Sequence, residues 1–96
     1  MKLADTEIKA IVRIFKALAD ETRMRIISSL SDKKVLSVSE ITDKVGISLS
    51  GVSHHLSKLE HLGFVKHEQV GKKVFHSLDD ECIESIIMKA KEHVHE

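Results

Sequence analysis

Residues 36–78 read LSVSEITDKVGISLSGVSHHLSKLEHLGFVKHEQVGKKVFHSL, and no other stretch limits the fold as tightly. Ser37 followed three residues later by Glu40 has the spacing of a capping box, and it opens a short helix over VSEITDKV. Gly46 stands where a helix end takes a left-handed residue. Ser48 caps a second helix, LSGVSHHLSKLEHL, which Gly63 ends. Two helices joined by a short turn containing glycine, over about 38–62, make a helix-turn-helix unit. After Gly63 the apolar period drops from helical to alternating. FVKHEQV and KKVFHSL read as two strands, and Gly71-Lys72 supplies the turn of a hairpin. A two-stranded hairpin over about 64–78, directly behind the second helix, is a wing. The expected fold class is therefore mainly α with a small β-hairpin, a winged helix-turn-helix.

The flanks read as helices. Ile8, Ile11, Val12, Phe15 and Leu18 recur at helical spacing and predict a helix over about 5–18. Asp20 is the N-cap expected of a second, reaching about Leu30, with SDKK as a polar connection. A last helix starts near Asp79 and carries Ile83, Ile86, Ile87, Ala90 and Val94 on one stripe. No linker or repeat divides the 96 residues, so a single domain over 1–96 is expected. A core that small benefits from a second subunit.

Composition excludes several classes. Three aromatic residues (Phe15, Phe64, Phe75) cannot build a base-stacking platform for single-stranded nucleic acid. One cysteine allows no internal disulfide, acids at Asp5 and Glu7 interrupt any N-terminal targeting segment, and no apolar run is of membrane-spanning length. A cytoplasmic protein with no membrane partner is expected. No nucleophile sits with a base, and there is no phosphate loop or carboxylate pair in a pocket-forming context. Neither an enzyme nor a small-molecule substrate is expected.

Fifteen bases balance fifteen acids, but not evenly along the chain. Residues 1–76 carry +4, and residues 77–96 carry −4. The acidic last helix therefore hides a mildly basic body, and affinity for double-stranded DNA is expected to come from a dimer rather than from one subunit. A reading helix offers short polar side chains to base edges from its first turns. Ser50, Gly51, Ser53, His54 and His55 occupy those turns, and Lys58 lies one turn on for a phosphate. Ser48 and the helix N-terminus can hold another phosphate. Lys72 and Lys73 at the wing tip suit the DNA backbone or minor groove. Taken alone, each of these also fits an ordinary solvated surface.

The chain ends SLDDECIESIIMKAKEHVHE, with Asp80 and Cys82 at one end of the helix and His93, His95 and Glu96 at the other. These are oxygen, sulfur and nitrogen donors suited to zinc. Thirteen residues of helix separate Asp80 from His93 by roughly 20 Å. One chain cannot bring them to one ion, but two antiparallel copies can, and symmetry would repeat the site. The same residues have plainer uses: an aspartate as helix cap, Cys82 as a small core residue, and solvated histidines at a chain end.

FKALADETRMRIISSL, the helix-turn-helix and wing stretch, and DDECIESIIMKAKEHVHE together resemble the ArsR/SmtB family of winged-helix, metal-responsive repressors, from about residue 12 to 96. The resemblance implies a homodimer joined through its N- and C-terminal helices that binds operator DNA until metal binds. It implies ligands at Asp80, Cys82, His93 and Glu96 across the paired last helices, with His95 or the terminal carboxylate as substitutes for Glu96. Cys82 replaces the histidine usual at its position. Zinc is the implied ion, with cadmium or cobalt as alternatives, because a thiolate favours softer metals. A backbone carbonyl at Gly63 is implied as acceptor for the other ring N–H of His93. Ser37 and Ser39 stand where a second family site would have thiols, so that site is expected to be absent. A same-fold repressor answering a non-metal signal, or a metal-binding module without regulation, would share much of this sequence.

Overall fold

Local capping sets most of the element boundaries. The computed structural model describes residues 1–96 as α1 (Asp5–Leu18), α2 (Glu21–Lys33), β1 (Leu36–Ser37), α3 (Val38–Val45), α4 (Leu49–His61), β2 (Val65–Val70), β3 (Lys73–Leu78) and α5 (Glu81–Val94). The Asp20 carboxylate accepts the Arg23 N–H at 2.9 Å and starts α2. Ser37 and Glu40 form the full reciprocal capping box, with Ser37 N–H donating to Glu40 at 2.9 Å and Glu40 N–H to Ser37 at 3.2 Å. Gly46 ends α3 at φ +71°, a conformation that costs any side-chain-bearing residue.

The sheet has three strands, where the sequence suggests a two-stranded hairpin. Its order is β1-β3-β2, so β3 is central. Leu36 pairs with His76 and Ser37 with Phe75 on one side, while β2 runs in register from Val65–Leu78 to Val70–Lys73 on the other. Two further boundaries move. The helix expected to stop near Leu30 continues to Lys33, because SDK holds no breaker; Lys34, at φ +74°, ends it. The last helix starts at Glu81, and of the two candidate caps, Asp79 and Asp80, it is Asp80 that caps it.

Leu18, Ile26, Ile27, Leu30, Leu36, Ile41, Val52, Leu56, Leu59, Phe64, Val65 and Ile83 make one core cluster. All five helices contribute to it, and α4 does so through Val52, Leu56 and Leu59 at helical spacing. That face locks α4 in rotation and turns its Ser/His/Lys side outward. Ile83 is the one buried residue of α5. At about 1.5–3 kcal/mol for a fully buried side chain of this size, it anchors the N-terminal end of α5. Past Ile86 and Ile87 the apolar stripe stays open, with Val94 76% exposed. No helix is long and apolar enough to cross a membrane.

Candidate functional site

Two groups of side chains stand out, one on α4 and the wing, the other on α5. On α4, Ser48 Oγ accepts the Gly51 N–H at 3.1 Å and lies 3.3 Å from Ser50 Oγ. Ser50, Ser53, His54 and Lys58 are exposed along the outer face. Gly51 and His55 are half-buried and sit differently from that outer row. A Cβ on Gly51 would lie 3.1 Å from Ser48 Oγ and 3.2 Å from Ile47 Cδ1, so the glycine lets the cap close over the first turn. His55 Nδ1 lies 3.4 Å from Nη1 of Arg23 and faces α2.

The wing tip presents Lys72 and Lys73, both exposed and neither in an ion pair. With Leu49 and Ser53 they line a shallow groove between α4 and the sheet. A contact that the sequence does not signal joins the two parts: the Glu60 carboxylate is hydrogen-bonded to Nδ1 of His67. Seven residues and a change of period separate the pair, so only the turn at Gly63 (φ +81°) brings α4's last turn beside β2.

On α5 the ligand candidates fall into two convergent pairs. Asp80 has extended backbone, φ −128° and ψ 119°, and lies outside the helical spiral. Its side chain therefore folds over the helix start, and Oδ1 accepts the Cys82 N–H at 2.8 Å. In a regular helix, residues two apart would point away from each other. The Cys82 thiol is exposed, and hydrogen bonding to the Asp80 carboxylate, with that group's negative charge, pushes its pKa up. At the other end His93 Nδ1 and Glu96 Oε2 are 3.6 Å apart, and both side chains are exposed. His95 is the C-cap. No hydrogen bond joins His93 to Gly63.

No three His, Cys, Asp or Glu side chains of one chain meet in a metal-holding cluster. The donor chemistry nevertheless fits a zinc-class ion: one sulfur, one imidazole and two carboxylates, all reachable from outside. Beside them runs an apolar groove between α1 and α5, lined by Phe15, Leu18, Met24, Ile86, Ile87 and Val94. Phe15 is 52% exposed, and Ile8 and Val12 extend the same open stripe along α1.

A capped reading helix, a glycine turn before it and a hairpin behind it define a winged helix-turn-helix protein of the DNA-binding regulator type. Residues 20–67 match the model of the bacterial regulatory protein arsR family. The chain is 38% identical over 86 residues to a cadmium resistance transcriptional regulatory protein CadC homolog of Staphylococcus aureus, spanning 90% of this chain and 71% of that one. It is 33% identical over 88 residues to the HTH-type transcriptional regulator KmtR of Mycobacterium tuberculosis, spanning 92% and 67%. The structure of NolR from Sinorhizobium fredii superposes with a TM-score of 0.86 at 26% identity, covering 96% of this chain and 94% of that one. The chain belongs to the ArsR/SmtB family of transcriptional repressors. These relatives are transcription regulators and not enzymes.

Proposed function

We propose that two copies of this chain pair through α1 and α5 into a metal-responsive repressor of double-stranded operator DNA. The observation that carries this reading is the division of the four donors into two convergent pairs at opposite ends of one helix. Antiparallel α5 helices place Asp80 and Cys82 of one copy against His93 and Glu96 of the other, twice per dimer. His95 or the terminal carboxylate can stand in for Glu96. The open apolar stripes of α1 and α5 support the same pairing, since exposed Phe15 and Val94 and half-buried Ile86 gain cover from it.

In the unloaded dimer each α4 enters a half-site in the major groove. Ser50, Ser53 and His54 reach base edges, with His55 and Gly51 supporting the first turns. Ser48, Lys58, Lys72 and Lys73 hold backbone phosphates. A bound zinc ion, or cadmium or cobalt in its place, supplies a cross-link between the two α5 helices. His93 would hold the ion through one ring nitrogen and keep its other N–H for an acceptor, for which the Gly63 carbonyl at the end of α4 is the candidate. Such a link would hold the two α4 helices in a spacing that fits DNA badly, and repression would be lifted. Linkage requires DNA to weaken metal binding by the factor by which metal weakens DNA binding.

The test is a cobalt(II) titration of the reduced apo protein, followed by absorption, for wild type and Cys82→Ser. Tetrahedral bands and a thiolate charge-transfer band should saturate at one ion per subunit, with the charge-transfer band lost in the variant. Absence of both leaves a DNA-binding protein without this metal site. A metal that binds without lowering affinity for a DNA duplex leaves a binding module and removes the regulatory half of the reading.

A further inference from the structure

From a groove on the side of α4 away from the wing, we infer a second clamp for the DNA backbone, built by Arg13 and Lys16 of α1, Arg23 of α2 and Lys58 of α4. It rests on the reading of α4 as the helix that enters DNA. His54, Ser57 and His61 complete the α4 wall, and no acidic side chain lines the groove. His54 and Lys58 belong to the outer face of α4, so this groove is continuous with the reading surface.

The groove is one-sided in charge, with cations from three helices and no acid in its wall. Arg25, Lys33, Lys34, Lys66 and Lys89 each lie within 4.0 Å of a carboxylate. The other ten Lys/Arg side chains enter no such pair, and four of them, Arg13, Lys16, Arg23 and Lys58, are gathered in this one groove. Apart from Asp20, which feels the charge of Arg23 from outside the groove, no carboxylate offsets these neighbouring cations, and a polyanion relieves their mutual repulsion. On α1, Lys9, Arg13 and Lys16 fall at i, i+4 and i+7 and share one stripe, offset from the apolar stripe of Ile8, Val12 and Phe15.

Arg23 braces the groove. Its Nε donates to the Ala17 carbonyl at 2.6 Å, its Nη1 meets His55 Nδ1 at 3.4 Å, and its other N–H groups have no protein partner. One half-buried guanidinium thus joins the end of α1 to α4 and still presents donors to the groove. A helix in the major groove has a phosphodiester strand along each side. Lys72 and Lys73 of the wing serve the strand on one side. Arg13, Lys16, Arg23 and Lys58 serve the strand on the other.

Phosphate contacts are independent of sequence, so a fluorescent duplex of arbitrary sequence serves as probe. Its affinity for the full chain is measured by anisotropy against salt concentration, for wild type, Arg13→Ala/Lys16→Ala, Arg13→Lys/Lys16→Arg and Lys72→Ala/Lys73→Ala. Both α1 side chains are exposed, and a thermal melt checks that each variant folds. Removing one cation from a phosphate lowers the slope of log K against log salt by about 0.9. The α1 double alanine variant should reduce the slope by about 3 to 4 as a dimer, and the charge-keeping swap should restore it. A folded alanine variant with wild-type slope overturns the second clamp, while a lowered slope in the wing variant keeps the DNA-binding reading intact. Failure of the wild type to bind any duplex overturns both. Displacement of the duplex by inorganic phosphate at matched ionic strength, sensitive to the α1 substitutions, reassigns the groove to a small anion and overturns the clamp.

Discussion

Asp80 Oδ1 accepts the amide hydrogen of Cys82 at 2.8 Å, so a single carboxylate caps α5 and stands beside the only thiol of the chain. The carboxylate has a second oxygen, Oδ2, which the cap does not use and on which the proposed metal site would draw. The helix start is thus shaped by residues of this chain alone.

That double use separates two substitutions. Asp80→Ala removes the cap and should lower the stability of the apo protein by about 1 kcal/mol, while Asp80→Asn keeps it and should change stability by only a few tenths. Both should weaken cobalt binding, since neither offers a carboxylate. Thermal melts and metal titrations on the same samples check this. Equal stability losses in the two variants would show that Asp80 does not act as a cap.

His76 gives the protein a pH dependence of known sign. It is 6% exposed, and its Nδ1 has no hydrogen-bond partner. Burial holds its pKa below the usual value of 6.5, opposed by the Glu60 carboxylate and aided by the neighbouring His67. Below about pH 6.5 the unfolded chain takes up a proton that the folded chain refuses, so stability falls with pH. The loss levels off once the depressed folded pKa is passed. His76→Leu should flatten this part of the profile and keep or raise stability at neutral pH, because it removes an unpaired buried polar atom. Denaturation midpoints between pH 5 and 8 give the answer, and parallel profiles for wild type and variant would contradict the assignment.

Lys34 ends α2 with a left-handed φ of +74°, a position where glycine carries no Cβ penalty. Its ion pair with Glu84, at 4.0 Å and largely exposed, is worth little. Lys34→Gly should therefore leave stability unchanged or raise it by up to about 1 kcal/mol, against the general tendency of glycine substitutions to destabilise. Urea denaturation measures the sign; a clear loss would mean that the side chain of Lys34 matters more than its backbone.

Phe15 tests the pairing of subunits. It is half-exposed in the single chain, so Phe15→Glu should leave the protomer folded and put a charge in the proposed seam. Sedimentation should find the variant monomeric at concentrations where the wild type is a dimer. A dimeric variant would move the seam off α1.

Caps make the helices legible. Ser37, Asp20 and Ser48 are short side chains whose oxygens satisfy free amides, and sequence spacing alone identifies them. β1 is not legible because two residues cannot display an alternation, and Ser37 is at once strand and helix cap. The end of α2 is hard to place because polarity mimics a break, whereas a run of charges without glycine or proline continues a helix. On α5 the spacing reveals the two donor pairs, but the closeness of Asp80 to Cys82 depends on the backbone leaving the helical spiral at Asp80. Although Arg13 and Lys16 share one stripe of α1, the Arg13/Lys16/Arg23/Lys58 groove is not legible as a unit. Its members come from three helices, and the zero net charge of the chain conceals them.

The strand order β1-β3-β2 has a mechanical consequence. β3 is held on one edge by the wing strand β2 and on the other by β1, whose last residue is the cap of α3. The Glu60–His67 contact closes the circuit at the end of α4. The hairpin is therefore no independent finger: a push at its tip is transmitted to the foot of the helix-turn-helix unit. Under the proposed function, a signal at α5 would therefore move this block as a whole, and its effect on DNA would be set by leverage rather than by bending of the wing.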